Sequence, residues 1–248
     1  MGNPFGNLST QGLEKSEDRV GGGFSVLDSD IYTGKLKAAY AIKSAGGAQG
    51  VSLIFVPEGK AEHRETVYIT KKTGENFYVK EGKKYPMPGF TIIDDICLLL
   101  TDAPLSEQET EEKIINVWNS DEKKELPTAV QMLTGLLDKE ISFAIQKVLE
   151  NKSEKQGNEY VATAETRESA SIVKALHTAS KLTVAEAREG KEEAVYWDAW
   201  LEKNKGQTYD KRTIKDGAAG AVGKPPVGGK APGAADGQPR KSLFGNKG

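Results

Sequence analysis

A chain of 248 residues with 37% hydrophobic and 28% charged side chains can bury a sizeable core, and its length favours one domain with appendages. Its longest apolar stretch, Ile92 to Leu100, is interrupted by Asp94 and Asp95 and falls short of the roughly 18 to 20 residues that span a bilayer. The start, Met1-Gly2-Asn3-Pro4-Phe5-Gly6, reads as neither a secretion leader nor a myristoylation signal, and the single cysteine, Cys97, excludes an internal disulfide, so a soluble protein of a reducing, cytoplasmic compartment is expected.

Taken in chain order, residues 1–23 are rich in glycine and poor in large apolar groups, and read as a flexible N-terminal arm. A body is expected from residue 24 to 215. Between Gly34 and Ser44, Leu36, Ala38, Tyr40 and Ile42 alternate with Lys35, Lys37 and Lys43, the period of two of a half-solvated strand. A glycine-rich turn through Gly50 leads to a second strand, Val51 to Val56, and Glu58-Gly59-Lys60 turns into a third, His63 to Thr70. Asn76 to Lys80 and the turn Glu81-Gly82-Lys83-Lys84 complete a meander of short strands.

Pro86 and Pro88 break this pattern, and Thr91 to Leu100 reads as a short helix with Asp94 and Asp95 solvated in its N-terminal half. Ile114 to Trp118 and Glu125 to Met132 make a hairpin, with Pro127 marking an edge. Leu136 to Val148 contains the alternating run Ile141, Phe143, Ile145, and residues 158–176 supply one more strand. Val195, Trp197, Trp200 and Leu201 share helical spacing within Glu192 to Lys203, which predicts a capping helix. From 216 to 248, Gly, Pro and Ala predominate and little can be buried, so a disordered basic tail is expected. The expected fold is mainly β: an OB-fold-like small β-barrel with one internal helix, a C-terminal capping helix and that tail.

Catalytic chemistry has little support. His63 and His177 stand far from any nucleophile motif, one cysteine and two histidines do not make a zinc site, and the glycine-rich pieces lack the Lys-Ser/Thr ending of a phosphate loop. A metal-dependent nuclease is the one enzymatic alternative: Glu58-Gly59-Lys60, Glu81-Gly82-Lys83 and Asp94-Asp95 offer carboxylates for Mg²⁺. Both E-G-K triplets fall where hairpins turn, and adjacent aspartates on a helix point about 100° apart. No catalytic residue, metal or cofactor is expected.

Nucleic-acid binding fits the charge distribution better. The formal net charge of −2 is spread unevenly: residues 203–248 carry +7 and residues 35–84 +5, whereas residues 85–202 carry −11. Cations replace counterions along a phosphate backbone, and flat rings carry unstacked bases. The stretch 35–84 interleaves Lys35, Lys37, Lys43, Arg64, Lys71, Lys72, Lys80, Lys83 and Lys84 with Tyr40, Phe55, Tyr68, Phe77 and Tyr78, and Tyr85 follows directly. On a strand, Arg64, Thr66, Tyr68 and Thr70 form one candidate binding face while His63, Glu65, Val67 and Ile69 point inward. Tyr40 lies on the apolar side of its strand, where core and binding roles both remain open.

Several words of the sequence also resemble a family of bacteriophage single-stranded DNA-binding proteins. They are Tyr40 to Ser44, Arg64-Glu65-Thr66-Val67-Tyr68-Ile69-Thr70 followed by Gly74-Glu75-Asn76-Phe77-Tyr78, and Tyr85-Pro86-Met87-Pro88-Gly89-Phe90 into Ile93-Asp94-Asp95 and Cys97-Leu98-Leu99. Glu112-Lys113, Leu133-Thr134-Gly135-Leu136 with Lys139-Glu140, Glu165-Thr166-Arg167-Glu168 and Thr183-Val184-Ala185-Glu186-Ala187-Arg188 extend the likeness over roughly residues 24 to 215. The resemblance implies an OB-fold module without metal or catalytic centre. Such a module coats exposed DNA, largely independently of sequence, during replication, recombination and repair in the cytoplasm of an infected bacterial host.

Many such proteins end in an acidic tail with an aromatic tip. This chain instead ends with Arg240, Lys241, Leu243 and Phe244 in a basic segment. Phe244 as a docking tip would favour an acidic partner, such as a replication or recombination enzyme, or DNA itself. A protein-interaction module with a recruiting tail is the main alternative, self-association is left open, and no membrane partner is expected.

Overall fold

The computed structural model describes residues 26–119, 122–156 and 159–214. The expected N-terminal arm and the tail with Arg240, Lys241, Leu243 and Phe244 lie outside the described residues. Strands dominate, and no helix among the described residues is long and apolar enough to cross a membrane.

The architecture begins with a long strand, β1 (Asp30–Lys43), which pairs antiparallel with β2 (Gln49–Pro57); β2 pairs in turn with β3 (His63–Tyr68). The register of β1 on β2 slips between Leu36 and Ala38, because Lys37 is an extra residue. Such a bulge reverses which parity of side chains faces inward. Leu36 and Ala39 therefore join the main core, whereas Ala38 and Tyr40 point to the other side of the sheet. The simple alternation expected from Leu36 to Ile42 is corrected accordingly.

The first residues of β1 pair on their other side with β8 (Glu140–Gln156), which carries β9 (Glu159–Leu176) on its far side. Five strands thus run in the order β3-β2-β1-β8-β9. The expected closed barrel is corrected: no backbone ladder joins β3 to β9, and the sheet stays open. One side chain spans the gap, with the Glu65 carboxylate on β3 accepting the Ile172 N–H of β9 at 2.7 Å. Helix α1 (Pro88–Thr101) packs against both β3 and β9.

Pro88 suits the first turn of α1, where its missing N–H is no loss. The helix buries Ile93, Ile96, Cys97, Leu98 and Leu99 against Leu36, Leu53, Phe55, Phe143 and Ile145. Burial pushes the Cys97 thiol up to about 12. The paired aspartates are not solvated as expected. Asp95 is buried against Lys174 of β9 at 2.7 Å, and Asp94 accepts the Leu105 N–H at 2.8 Å.

The expected five-strand meander is likewise corrected. After Tyr68 the chain leaves the sheet through a turn closed by Lys71 N–H to Glu75 O, and β4 (Phe77–Lys80) and β5 (Lys83–Pro86) form a two-stranded sheet of their own. A second hairpin, β6 (Glu111–Asn119) and β7 (Lys124–Met132), folds back over the outer side of the main sheet. Ile115, Val117, Val130 and Met132 pack there on Ala38, Tyr40, Ile42 and Ile54.

A short helix, α2 (Val184–Arg188), begins with a capping box in which Thr183 and Glu186 satisfy each other's backbone N–H groups. The Glu186 carboxylate also accepts the Tyr196 N–H of α3 (Val195–Asn204) at 2.7 Å. The spacing of Trp197, Trp200 and Leu201 serves as expected, with Trp200 buried on Ala144 and Leu176. A last strand, β10 (Thr208–Asp210), runs parallel to β8 just beyond the stretch that pairs with β1.

His177 follows β9 and takes the Ser180 backbone N–H on Nδ1 at 3.2 Å. Burial lowers its pKa, so the folded state binds fewer protons than the unfolded chain once the unfolded imidazole titrates near ~6.5. Its contribution is present above that pH and is lost as pH falls through the folded value. His177→Gln should make urea-unfolding stability fall less steeply between about pH 7 and 5; an unchanged slope would contradict this linkage.

Candidate nucleic-acid interface

The β4–β5 hairpin concentrates the predicted residues. Its two-residue turn, Glu81-Gly82, has φ of 52° and 74°, the left-handed conformations of a type I′ connection, which glycine adopts without steric cost. That turn sets Lys80 opposite Lys83 and Tyr78 opposite Tyr85. Residues at a period of two share a face, so the two tyrosines and two lysines stand together. The rings stack with centroids 5.7 Å apart and planes at 24°. The opposite face carries Phe77 and Lys84, with the Lys84 ammonium 4.5 Å and the Lys71 ammonium 5.7 Å from the Phe77 centroid.

Charge pairing separates the predicted cations. Lys80, Lys83 and Lys84 have no carboxylate at ion-pair distance among the described residues, and neither do Lys35, Lys43 and Lys72. Lys37, Arg64 and Lys71 are engaged. Arg64 meets Glu62 at 2.7 Å and Glu125 of β7 at 3.1 Å, and its hydrogen bond holds the Glu62 carboxyl below the usual range. Lys37 also contacts Glu62, at 3.2 Å. Lys71 pairs with Glu75, whose carboxyl is held low by the Thr73 hydroxyl and Lys71.

The aromatic residues divide as well. Tyr40 is 7% exposed and belongs to the cluster beneath β6–β7, so its place in the candidate interface is corrected to core. Tyr68 is 46% exposed on the outer side of β3. Its ring lies by Gly50, where an added Cβ would come within 3.2 Å of both Tyr68 Cδ1 and Ile42 Cδ1. Arg64, Thr66 and Tyr68 face outward as predicted, but Thr70 is buried and uses its hydroxyl to accept the Gln49 N–H. Lys35 and Lys43 sit eight residues apart on one strand, about 26 Å at about 3.3 Å per residue. The stretch 35–84 is therefore not a single patch: Lys35 and Lys37 lie near the middle of β1 and Lys43 at its end.

Both E-G-K triplets occupy turns, with Gly59 and Gly82 at positive φ. Three features escaped the sequence reading. Trp118 is 59% exposed and Ile114 74% exposed on the outer side of β6; Tyr160 is 74% exposed near the start of β9. Both parities of Ile114 to Trp118 carry apolar residues, so periodicity could not choose the outward side. The third is a cleft of about 650 Å³ bordered by Asn76 at the root of β4, which brings together residues from as far apart in the chain as Ala41 and Leu133. No protein-family model matches the chain, and no curated protein is similar to it in sequence.

Proposed function

We propose that the chain is a single-stranded DNA-binding protein that coats and protects exposed DNA during phage replication, recombination and repair. The observation that carries this reading is the β4–β5 hairpin, where Tyr78 and Tyr85 share a face with Lys80 and Lys83, and neither lysine has a carboxylate at ion-pair distance among the described residues. Stacked rings provide platforms for unpaired bases, and unneutralised ammonium groups follow the phosphates. The OB-type reading is supported by the order β3-β2-β1-β8-β9, with α1 inserted in the chain between β3 and β8 and packed against the gap between β3 and β9. The family resemblance supports both.

Titration of the full chain with a (dT) oligonucleotide tests the reading. Binding should weaken as salt rises and exceed binding to duplex of equal length. Tyr78→Ala should weaken it by roughly 5- to 100-fold, the range expected for one stacked base, with nearly unchanged melting temperature. Equal duplex affinity, or insensitivity to salt, overturns the proposal. The exposed Ile114 and Trp118 favour protein interaction as the second reading; it predicts no oligonucleotide binding that depends on Tyr78.

A further inference from the structure

The cleft at the root of the β4–β5 hairpin has the chemistry of a nucleotide site. At about 650 Å³ it lies within the roughly 300–1,000 Å³ typical of small-ligand sites. Ile42, Ile69 and Leu105 supply apolar walls, and Phe90 lines it from the first turn of α1. Phe90 belongs to none of the three apolar clusters of the fold. No aspartate or glutamate lines the cleft, and its one charged lining residue is Lys43.

The polar groups around it are selective in what they leave unused. Thr70 and Gln108 spend their side chains on Gln49 N–H and on Thr101, Ala103 and Pro104. The side chains of Gln49 and Asn76 make no hydrogen bond among the described residues, and Lys43 makes no ion pair there. Two free amides, a ring and a cation around an apolar floor match the edge, face and phosphate of an unstacked nucleotide. Asn76 immediately precedes β4, so the cleft is continuous with the hairpin.

We propose that this cleft receives one nucleotide of the bound strand, base inward against Phe90 and phosphate at Lys43; this rests on the single-stranded DNA reading above. The base is read through its ring face and by adaptable amides, which accommodates different bases. Ser106, exposed on the rim and with no side-chain hydrogen bond among the described residues, is the place to fill the cleft. Ser106→Trp and Asn76→Ala should each lower the affinity of the full chain for a (dT) oligonucleotide roughly tenfold, as loss of a base contact does. After Asn76→Ala the dependence of log K on log salt should keep its slope, because the phosphate contact at Lys43 is retained, whereas Ser106→Trp, by excluding the nucleotide, should make the slope shallower by about 0.7.

If wild-type protein binds the oligonucleotide and both variants bind as tightly, the cleft proposal is overturned while the DNA-binding reading stands. A salt slope changed by Asn76→Ala would assign that amide to a phosphate contact and also overturn the base-inward arrangement. Failure of wild-type protein to bind removes both. Should Ser106→Trp lower the melting temperature, Asn76→Ala carries the test, since its amide bonds to no other group among the described residues.

Discussion

Replacing Lys80, Lys83 and Lys84 together by alanine should lower affinity for a (dT) oligonucleotide roughly 50-fold at about 0.15 M salt and roughly 500-fold at about 0.05 M, if each cation neutralises one phosphate. The steepening at low salt is the informative part. Each contact with a single strand releases about 0.7 counterion, so the slope of log K against log salt should become shallower by about 2. The three ammonium groups have no carboxylate partners to lose among the described residues, and all are exposed. Stability should therefore change little. The paired Arg64 provides a comparison: its guanidinium already bridges Glu62 and Glu125, and Arg64→Ala should shift the salt slope less than any one of the hairpin lysines. Fluorescence titration at several salt concentrations measures both. A slope unchanged by the triple substitution would exclude the hairpin from the phosphate path.

Phe143→Ala should destabilise the fold by about 3–5 kcal/mol, a large part of the ~5–15 kcal/mol typical of a domain. Phe143 of β8 is fully buried and meets Phe55 of β2 edge-on, with centroids 4.7 Å apart and planes at 74°. The contact matters because of the open sheet. With no backbone ladder between β3 and β9, the β2–β3 and β8–β9 sides are connected through β1, α1 and this core. The strands around Phe143 are held in register on both sides of β1, so the cavity it leaves closes only in part. Urea unfolding measures the loss, with Val56→Ala, 37% exposed on β2, expected within about 0.5 kcal/mol of wild type. A Phe143→Ala loss below about 1 kcal/mol would mean that this ring does not join the two sides.

Local patterns were readable where local physics governs them. The run His63 to Ile69 alternates in burial as its sequence does, with Val67 inward and Tyr68 outward. Glu81-Gly82 announces a two-residue turn, and that turn alone aligns Tyr78 with Tyr85 and Lys80 with Lys83. The Trp197, Trp200 and Leu201 spacing announces a docked helix. The short helix after Thr183 carried an equally local signal, the T-x-x-E of its capping box, which the reading passed over.

What escaped depended on partners distant in sequence. Tyr40 became core because Lys37 adds a bulge and β6–β7, more than 70 residues later, lies over it. Arg64 lost its freedom to Glu125, 61 residues away. Asp94 and Asp95 turned from solvent to Leu105 and Lys174. The cleft has no motif, since it exists only where stretches as far apart as Ala41 and Leu133 meet. By itself the sequence determined a mainly β chain with a cationic, aromatic hairpin, because strand period and turn chemistry act over a few residues. Only the tertiary structure decided which cations remain unpaired, which rings remain exposed and that the sheet stays open, because ion pairing, burial and strand closure depend on groups that folding alone brings together.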